Sequence, residues 1–280
     1  MSIVDSHHHV WDPGTRRHTW LDSYPQLQQP FSLDDLRPEA AAADVAGTVL
    51  VQVLNDLDES VEFLATAAAD PLVRGVVGWV DVTDPGAAAT LARLAAAPGG
   101  EHLVGIRHLV EVEPDPQWLL RADVRSGVAA VGAAGLVFDL LVRPHHLEAA
   151  ATLAGELPDV RFVVDHMAKP RIAEQEIEDW AVGIRRLAEL PNVACKVSGI
   201  LTEAGRSWSV GSLQPYVEVV VAAFGPGRLM IGSDWPVSLL ATGYGQVLAT
   251  LRDTLLAAGL VGGDLQRVLS GTAEEWYALP

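Results

Sequence analysis

Near the N-terminus, Ile3-Val4-Asp5-Ser6-His7-His8-His9-Val10-Trp11 runs an apolar pair into an acid, three histidines and a large aromatic residue. In a β-strand successive side chains alternate faces, so His7 and His9 point one way and His8 the other. Two imidazoles on one face, about 6–7 Å apart along the strand, can share one cation. A terminal triple histidine is also what a tag remnant or a solvated loop looks like. Here it follows directly on a strand-like run and no Gly/Ser linker surrounds it. The pair needs partners, and two stretches offer them: Asp165-His166 and Gly232-Ser233-Asp234-Trp235-Pro236, each at the end of an apolar run.

Other apolar runs end in residues that a core has no reason to keep. They are Trp79 with Asp81, Arg107 with His108, Asp139, and Lys196 with Ser198. Imidazoles with a carboxylate can activate water, either by holding a metal ion or by taking the proton directly. Asp234 is the candidate base, because a crowded strand end can raise a carboxyl pKa to a useful value. Arg107 can clamp a carboxylate or hydroxyls bidentately. Lys196 lies inside Val193-Ala-Cys-Lys-Val197, so it is either paired with Asp165 or Asp139 or faces substrate oxygens. Asp139 is its structural partner or a site residue. His108 stands beside Arg107 near the site, while Trp11, Trp79 and Trp235 are candidate apolar walls. Asp165 and His166, adjacent in a strand, face opposite sides. No G-x-S-x-G is present and Cys195 reads as inert core, which argues against serine or cysteine nucleophiles.

These residues need a scaffold that brings distant strand ends together. Apolar strand runs occur at 4–7, 47–53, 73–80, 103–110, 135–142, 161–166, 193–197 and 228–234. Helical patterns lie between them, at 33–43, 56–69, 84–94, 124–134, 144–157, 177–190 and 212–224, with 244–258 and 265–279 at the end. Strands alternating with helices imply a parallel sheet, and about eight units in about 250 residues fit one closed (β/α)8 TIM barrel spanning 1–280. Such a barrel carries its chemistry at the C-terminal ends of the strands. No G-x-G-x-x-G or P-loop follows the first strand, which weakens a nucleotide-binding alternative. Residues 12–32 read as a long loop able to cover a site, with Ser32 capping the helix after it.

The net charge of −17 argues against nucleic acid and anionic membranes as partners and leaves a small-molecule substrate. One cysteine, no signal-peptide pattern and no apolar run near 18 residues point to a cytoplasmic protein. Oligomeric state is not readable.

Taken together, Asp5-Ser6-His7-His8-His9, Gly105-Ile106-Arg107-His108, Asp165-His166 with Lys169-Pro170, Lys196-Val197-Ser198-Gly199 and Gly232-Ser233-Asp234-Trp235-Pro236 resemble the amidohydrolase superfamily. More narrowly, the chain resembles the amidohydrolase-related branch of lactonases acting on sugar acids and dicarboxylate lactones. The resemblance implies a distorted barrel with a hydrolytic site built from His7, His9, His166 and Asp234. It also implies at most one divalent ion held by these four, zinc first among the candidates, with a metal-free site as the alternative. Metal-rich members carry a metal-binding lysine or histidine on the fifth strand; this chain has Asp139 there, which argues against a binuclear centre.

The activity implied is opening of a sugar-acid lactone by water activated at Asp234, with the histidines holding an ion or donating to the carbonyl. The alternatives are a single-metal decarboxylase resembling the aminocarboxymuconate-semialdehyde branch and a hydrolase of an aromatic-breakdown lactone.

Overall fold

The computed structural model describes residues 2–280. Eight strands follow in chain order around one sheet: β1 (Ile3–His8), β2 (Val45–Val51), β3 (Val73–Gly78), β4 (Leu103–His108), β5 (Val137–Leu140), β6 (Phe162–Val164), β7 (Val193–Val197) and β8 (Leu229–Ile231). Every neighbouring pair is parallel. The seam is drawn shut beyond β8, where Asp234 N donates to His7 O at 2.8 Å and His9 N to Trp235 O at 2.7 Å. The barrel therefore closes through the two stretches that carry the first histidines and the last acid.

Helices cover the outside: α1 (Leu33–Ala42), α2 (Leu57–Ala69), α3 (Ala87–Ala95), α4 (Ala122–Ala133), α5 (Leu147–Glu156), α6 (Glu178–Ala188), α8 (Val210–Phe224) and α9 (Tyr244–Ala257), while the short α7 (Ile200–Glu203) sits at the strand ends. Ser32 precedes α1 as read from the sequence, its N–H and hydroxyl both donating to Asp35 at 2.8 and 2.7 Å. The final segment is not one helix. It divides into α10 (Gly262–Gln266), a π-turn (Arg267–Gly271) and α11 (Thr272–Trp276). This break lets Ala273, Trp276 and Tyr277 pack under the barrel against the inward residues Val4, Val49, Val51, Val77, Val137, Val163, Ala194 and Met230. Among the described residues no helix is long and apolar enough to cross a membrane.

Period-2 alternation carries the inward row upward from this apolar floor. Val137 leads to Asp139, Val163 to Asp165 and Ala194 to Lys196, so charged side chains meet one layer higher. β1 breaks the rule. Counting from inward-facing Val4 would turn His7 outward. The pairing with β2 slips between Asp5 and His8, and that irregularity resets the phase so that His7 and His9 face in. His8 then faces the helices, its Nε2 on Thr48 Oγ1 at 2.9 Å. Asp5 stabilises the slip from outside, accepting from Ser233 N (2.8 Å), Ser233 Oγ (2.6 Å) and Tyr244 Oη (3.0 Å).

Candidate active site

A cavity of about 770 Å³ opens at the C-terminal ends of the strands. His9, His166 and Asp234 lie in its floor, with Arg107 beside them. His7 sits directly beneath and is fully buried.

The four residues implied as the centre do converge. His7 Nε2 and His9 Nε2 are 3.2 Å apart. Asp234 Oδ1 lies 3.5 Å from His9 Nε2, 3.8 Å from His166 Nε2 and 3.9 Å from His7 Nε2. Ligand atoms of a tetrahedral ion bound at about 2.1 Å stand about 3.4 Å from one another. His7, His9 and Asp234 bracket that spacing. His9 Nδ1 faces the carbonyl of Val51 at 2.7 Å; a carbonyl only accepts, so the proton is on Nδ1 and the Nε2 lone pair points into the site. The donor set fits one divalent ion, although Arg107 Nη1 shares His7 Nε2 at 3.2 Å.

His166 reaches the floor by a backbone route that the strand reading does not contain. β6 ends at Val164, and Asp165–Ala168 form a tight turn in which His166, Met167 and Ala168, followed by Lys169, have φ of 51°, 53°, 60° and 49°. The turn puts Asp165 and His166 on the same side, correcting the expectation of opposite faces. Gly199 makes room for the imidazole: a Cβ at this position would lie 2.7 Å from His166 Nδ1, and its φ is +65°. Ser198 Oγ then meets His166 Nδ1 at 2.9 Å.

The charged layer below is self-contained. Lys196 Nζ lies 2.6 Å from Asp139 Oδ2, 2.9 Å from Asp165 Oδ1 and 3.2 Å from His7 Nδ1. Tyr277 Oη donates to Asp139 at 2.8 and 2.9 Å. Of the two open readings, Lys196 and Asp139 are thus partners of each other beneath the floor, and neither lines the cavity. Arg107 is also committed. Its Nε and Nη2 donate to Gln52 Oε1 at 3.0 and 2.9 Å, Nη2 also to Gln52 O, and Nη1 to Asp165 at 2.9 Å. With Nη1 also on His7, no donor is left to clamp a substrate carboxylate.

Besides His7, Lys196 and Asp139, four further sequence candidates fall outside the cavity wall. His108 stacks on Trp118 (ring centroids 4.2 Å apart, 16° between planes), meets Glu113 at 2.7 Å and accepts from Trp79 Nε1 at 3.2 Å. His108 and Trp79 therefore brace the loops behind β3 and β4. Trp11 donates to Leu27 O and packs on Trp20 and Phe31, and so holds the 12–32 loop. Trp235 packs on Phe31 from the other side. The aromatic residues that do line the cavity are Trp20 and Tyr24, on that same loop.

The polar wall includes residues not singled out as candidates: Glu111, Arg143, Lys169, Glu203 and the exposed Arg206. Lys169 donates to both oxygens of Glu111 at 2.8 Å, and Arg143 Nη2 lies 3.1 Å from Glu111. Each follows a strand end by a few residues, which is where a barrel's site loops begin.

The electrostatics keep the floor in one protonation state. Burial raises the Asp234 carboxyl, but His166, His9 and Lys169 together outweigh it and hold it below the ordinary value. This corrects the expectation of a raised pKa. Burial pushes His166 down to about 4, against the smaller upward pull of Asp234 and Asp165. Ionised Asp234 and neutral His166 thus coexist from neutrality well into acid. The rate of a reaction needing both is expected to stay flat down to about pH 5 and to fall as His166 takes a proton near 4. A pH–rate profile of kcat/KM checks this; a fall centred on the ordinary imidazole value of 6.5 would contradict it.

The amidohydrolase family model matches residues 4–279. The chain is similar to an L-fucono-1,5-lactonase of Burkholderia ambifaria, 38% identical over 249 residues that cover 89% of this chain and 85% of that protein. It is similar also to an L-fucono-1,5-lactonase of Burkholderia multivorans, 33% identical over 289 residues covering 99% and 96%. A crystal structure of an amidohydrolase from Burkholderia multivorans with bound zinc superimposes with a TM-score of 0.93 at 32% identity, covering 100% of both chains.

Proposed function

This chain belongs to the amidohydrolase family, and we propose that within it the protein hydrolyses the lactone of a sugar acid, a 1,5-lactone such as L-fucono-1,5-lactone foremost. The observation that carries the reading is the cavity itself: a carboxylate among three imidazoles under a wall of hydrogen-bonding side chains. A neutral polyhydroxylated ring suits that wall. A ring bearing carboxylates would need a free cation deep in the pocket, yet Lys169 and Arg143 are held by Glu111, and Arg107 by Asp165; the lining cation without a carboxylate partner, Arg206, is exposed to solvent. That spent charge counts against the aromatic-breakdown dicarboxylate and the decarboxylation substrate.

Asp234 presents Oδ1 to the imidazoles, which leaves Oδ2 for the attacking water. Oδ2 accepts the water proton as the oxygen bonds to the lactone carbonyl carbon. Ser198 can donate to His166 Nδ1, which places the His166 proton on Nε2, facing the oxyanion that develops. When the C–O bond of the ring breaks, Asp234 returns the proton to the departing ring oxygen. The product is an open-chain hydroxy acid. A divalent ion held by His7, His9 and Asp234 would supply Lewis acidity and a lower pKa for water.

Proton release over the uncatalysed rate, on a panel of sugar-acid 1,4- and 1,5-lactones with and without chelator, tests the reading. Saturable hydrolysis of one stereochemical series is expected. A rate lost with chelator and restored by zinc assigns water activation to the ion; an unchanged rate assigns it to Asp234 alone. No turnover of any lactone by zinc-replete protein would overturn the proposal.

A further inference from the structure

Among the described residues, the carboxylates that are at least partly buried have hydrogen-bond or ion-pair partners, with one exception, Glu203. Asp5 is held by Ser233 and Tyr244, Glu59 by the N–H groups of Val53 and Leu54, Asp139 by Lys196 and Tyr277, Asp165 by Arg107 and Glu111 by Lys169. Glu203 closes α7 and lines the active-site cavity. Its backbone is fixed on both sides: its N–H meets Gly199 O at 3.4 Å, and its C=O accepts from Ala173 N at 3.2 Å. The carboxylate is carried on this fixed backbone, and it lies in the field of Lys169, Arg143, Glu111 and Asp234 across the pocket.

A carboxylate taken partly out of water without a donor is costly, and burial raises its pKa accordingly. An acceptor-only group with several open lone pairs is complementary to a ligand that brings donors. Hydroxyl groups of a sugar ring are such donors. They carry no charge, so they also avoid the repulsion that Glu111 and Asp234 would exert on an anion.

We propose that Glu203 is a specificity-determining residue that accepts hydrogen bonds from the ring hydroxyls of the substrate and so selects polyhydroxylated lactones over bare ones. The inference rests on the lactone reading for its substrate and on the unpartnered carboxylate for its residue. It makes Glu203 a discriminator and leaves the chemical step to Asp234.

The test compares wild type, Glu203→Ala and Glu203→Gln on a sugar-acid 1,5-lactone and on δ-valerolactone, the same ring without hydroxyls. A charge-assisted hydrogen bond lost on one substrate only should lower the ratio of the two kcat/KM values by about 10–150-fold in the alanine variant. The glutamine variant, which keeps an acceptor oxygen, should lose less. A ratio within threefold of wild type would overturn the proposal, since a general distortion of the pocket lowers both rates together. Binding of a polyhydroxylated δ-lactam, followed by calorimetry, separates this inference from the function it builds on. If no lactone is turned over but the Glu203→Ala substitution weakens lactam binding by about 10–150-fold, Glu203 keeps its role and the lactonase reading falls. If wild type binds no lactam, or the substitution leaves its affinity unchanged, the assignment of Glu203 falls.

Discussion

Asp234→Asn is expected to lower kcat/KM for lactone hydrolysis by about 10²–10⁴-fold, the range of a lost general base. The substitution keeps the shape of the side chain and removes its charge and its ability to take a proton. The backbone that seats it is independent of that change: Asp234 N donates to His7 O, and Ser233 is anchored on Asp5. The variant should therefore unfold cooperatively, and its loss should fall in kcat. Activity within tenfold of wild type would remove Asp234 as the base.

The second large effect is on stability. Lys196→Met is expected to destabilise the fold by about 3–5 kcal/mol, the cost of breaking a buried ion pair from one side. Methionine fills the volume but leaves Asp139 and Asp165, both fully buried, without the ammonium that lies within 2.9 Å of each. Burial already raises the Asp139 carboxyl to about 6, in spite of Lys196. A carboxyl whose folded pKa is raised contributes stability that is complete below its unfolded value of 3.8 and is lost as pH rises through about 6. Without Lys196 that upper limit moves higher still, so the deficit of the variant should shrink on acidification. Urea unfolding at pH 7 and pH 5 measures both. Asp139→Asn combined with Lys196→Met should recover part of the loss, because it removes one of the stranded charges. A single variant within 1 kcal/mol of wild type would show that the layer is not a coupled ionic network.

Much of this was legible in the sequence because barrel strands are uniformly apolar and their ends are not. Runs such as Val137-Phe-Asp-Leu140 and Val193-Ala-Cys-Lys-Val197 mark both the strand and the polar residue at its inner face. What alternation could not supply was local backbone irregularity. The slip between Asp5 and His8 decides which face the histidines take, and it is held by Ser233 and Tyr244, more than 200 residues away. The left-handed turn at His166–Lys169 contains no glycine to announce it; packing imposes it. Aromatic residues misled for a related reason. Trp11, Trp79 and Trp235 sit next to site residues in sequence, yet a large ring packs equally well elsewhere: Trp11 and Trp235 enter the core, and half-buried Trp79 braces His108. Glu111, Arg143 and Glu203 lie on strand-to-helix connections, Glu203 at the end of the short α7, whose course depends on what they pack against, so residue type alone did not mark them.

The most direct measurement is the initial rate of proton release from L-fucono-1,5-lactone, with wild type and Asp234→Asn at equal concentration and the uncatalysed rate subtracted. Saturable hydrolysis by the wild type is expected, with a rate about 10²–10⁴-fold lower from the variant. Equal rates from the two proteins, or a wild-type rate no greater than the uncatalysed one, would contradict it.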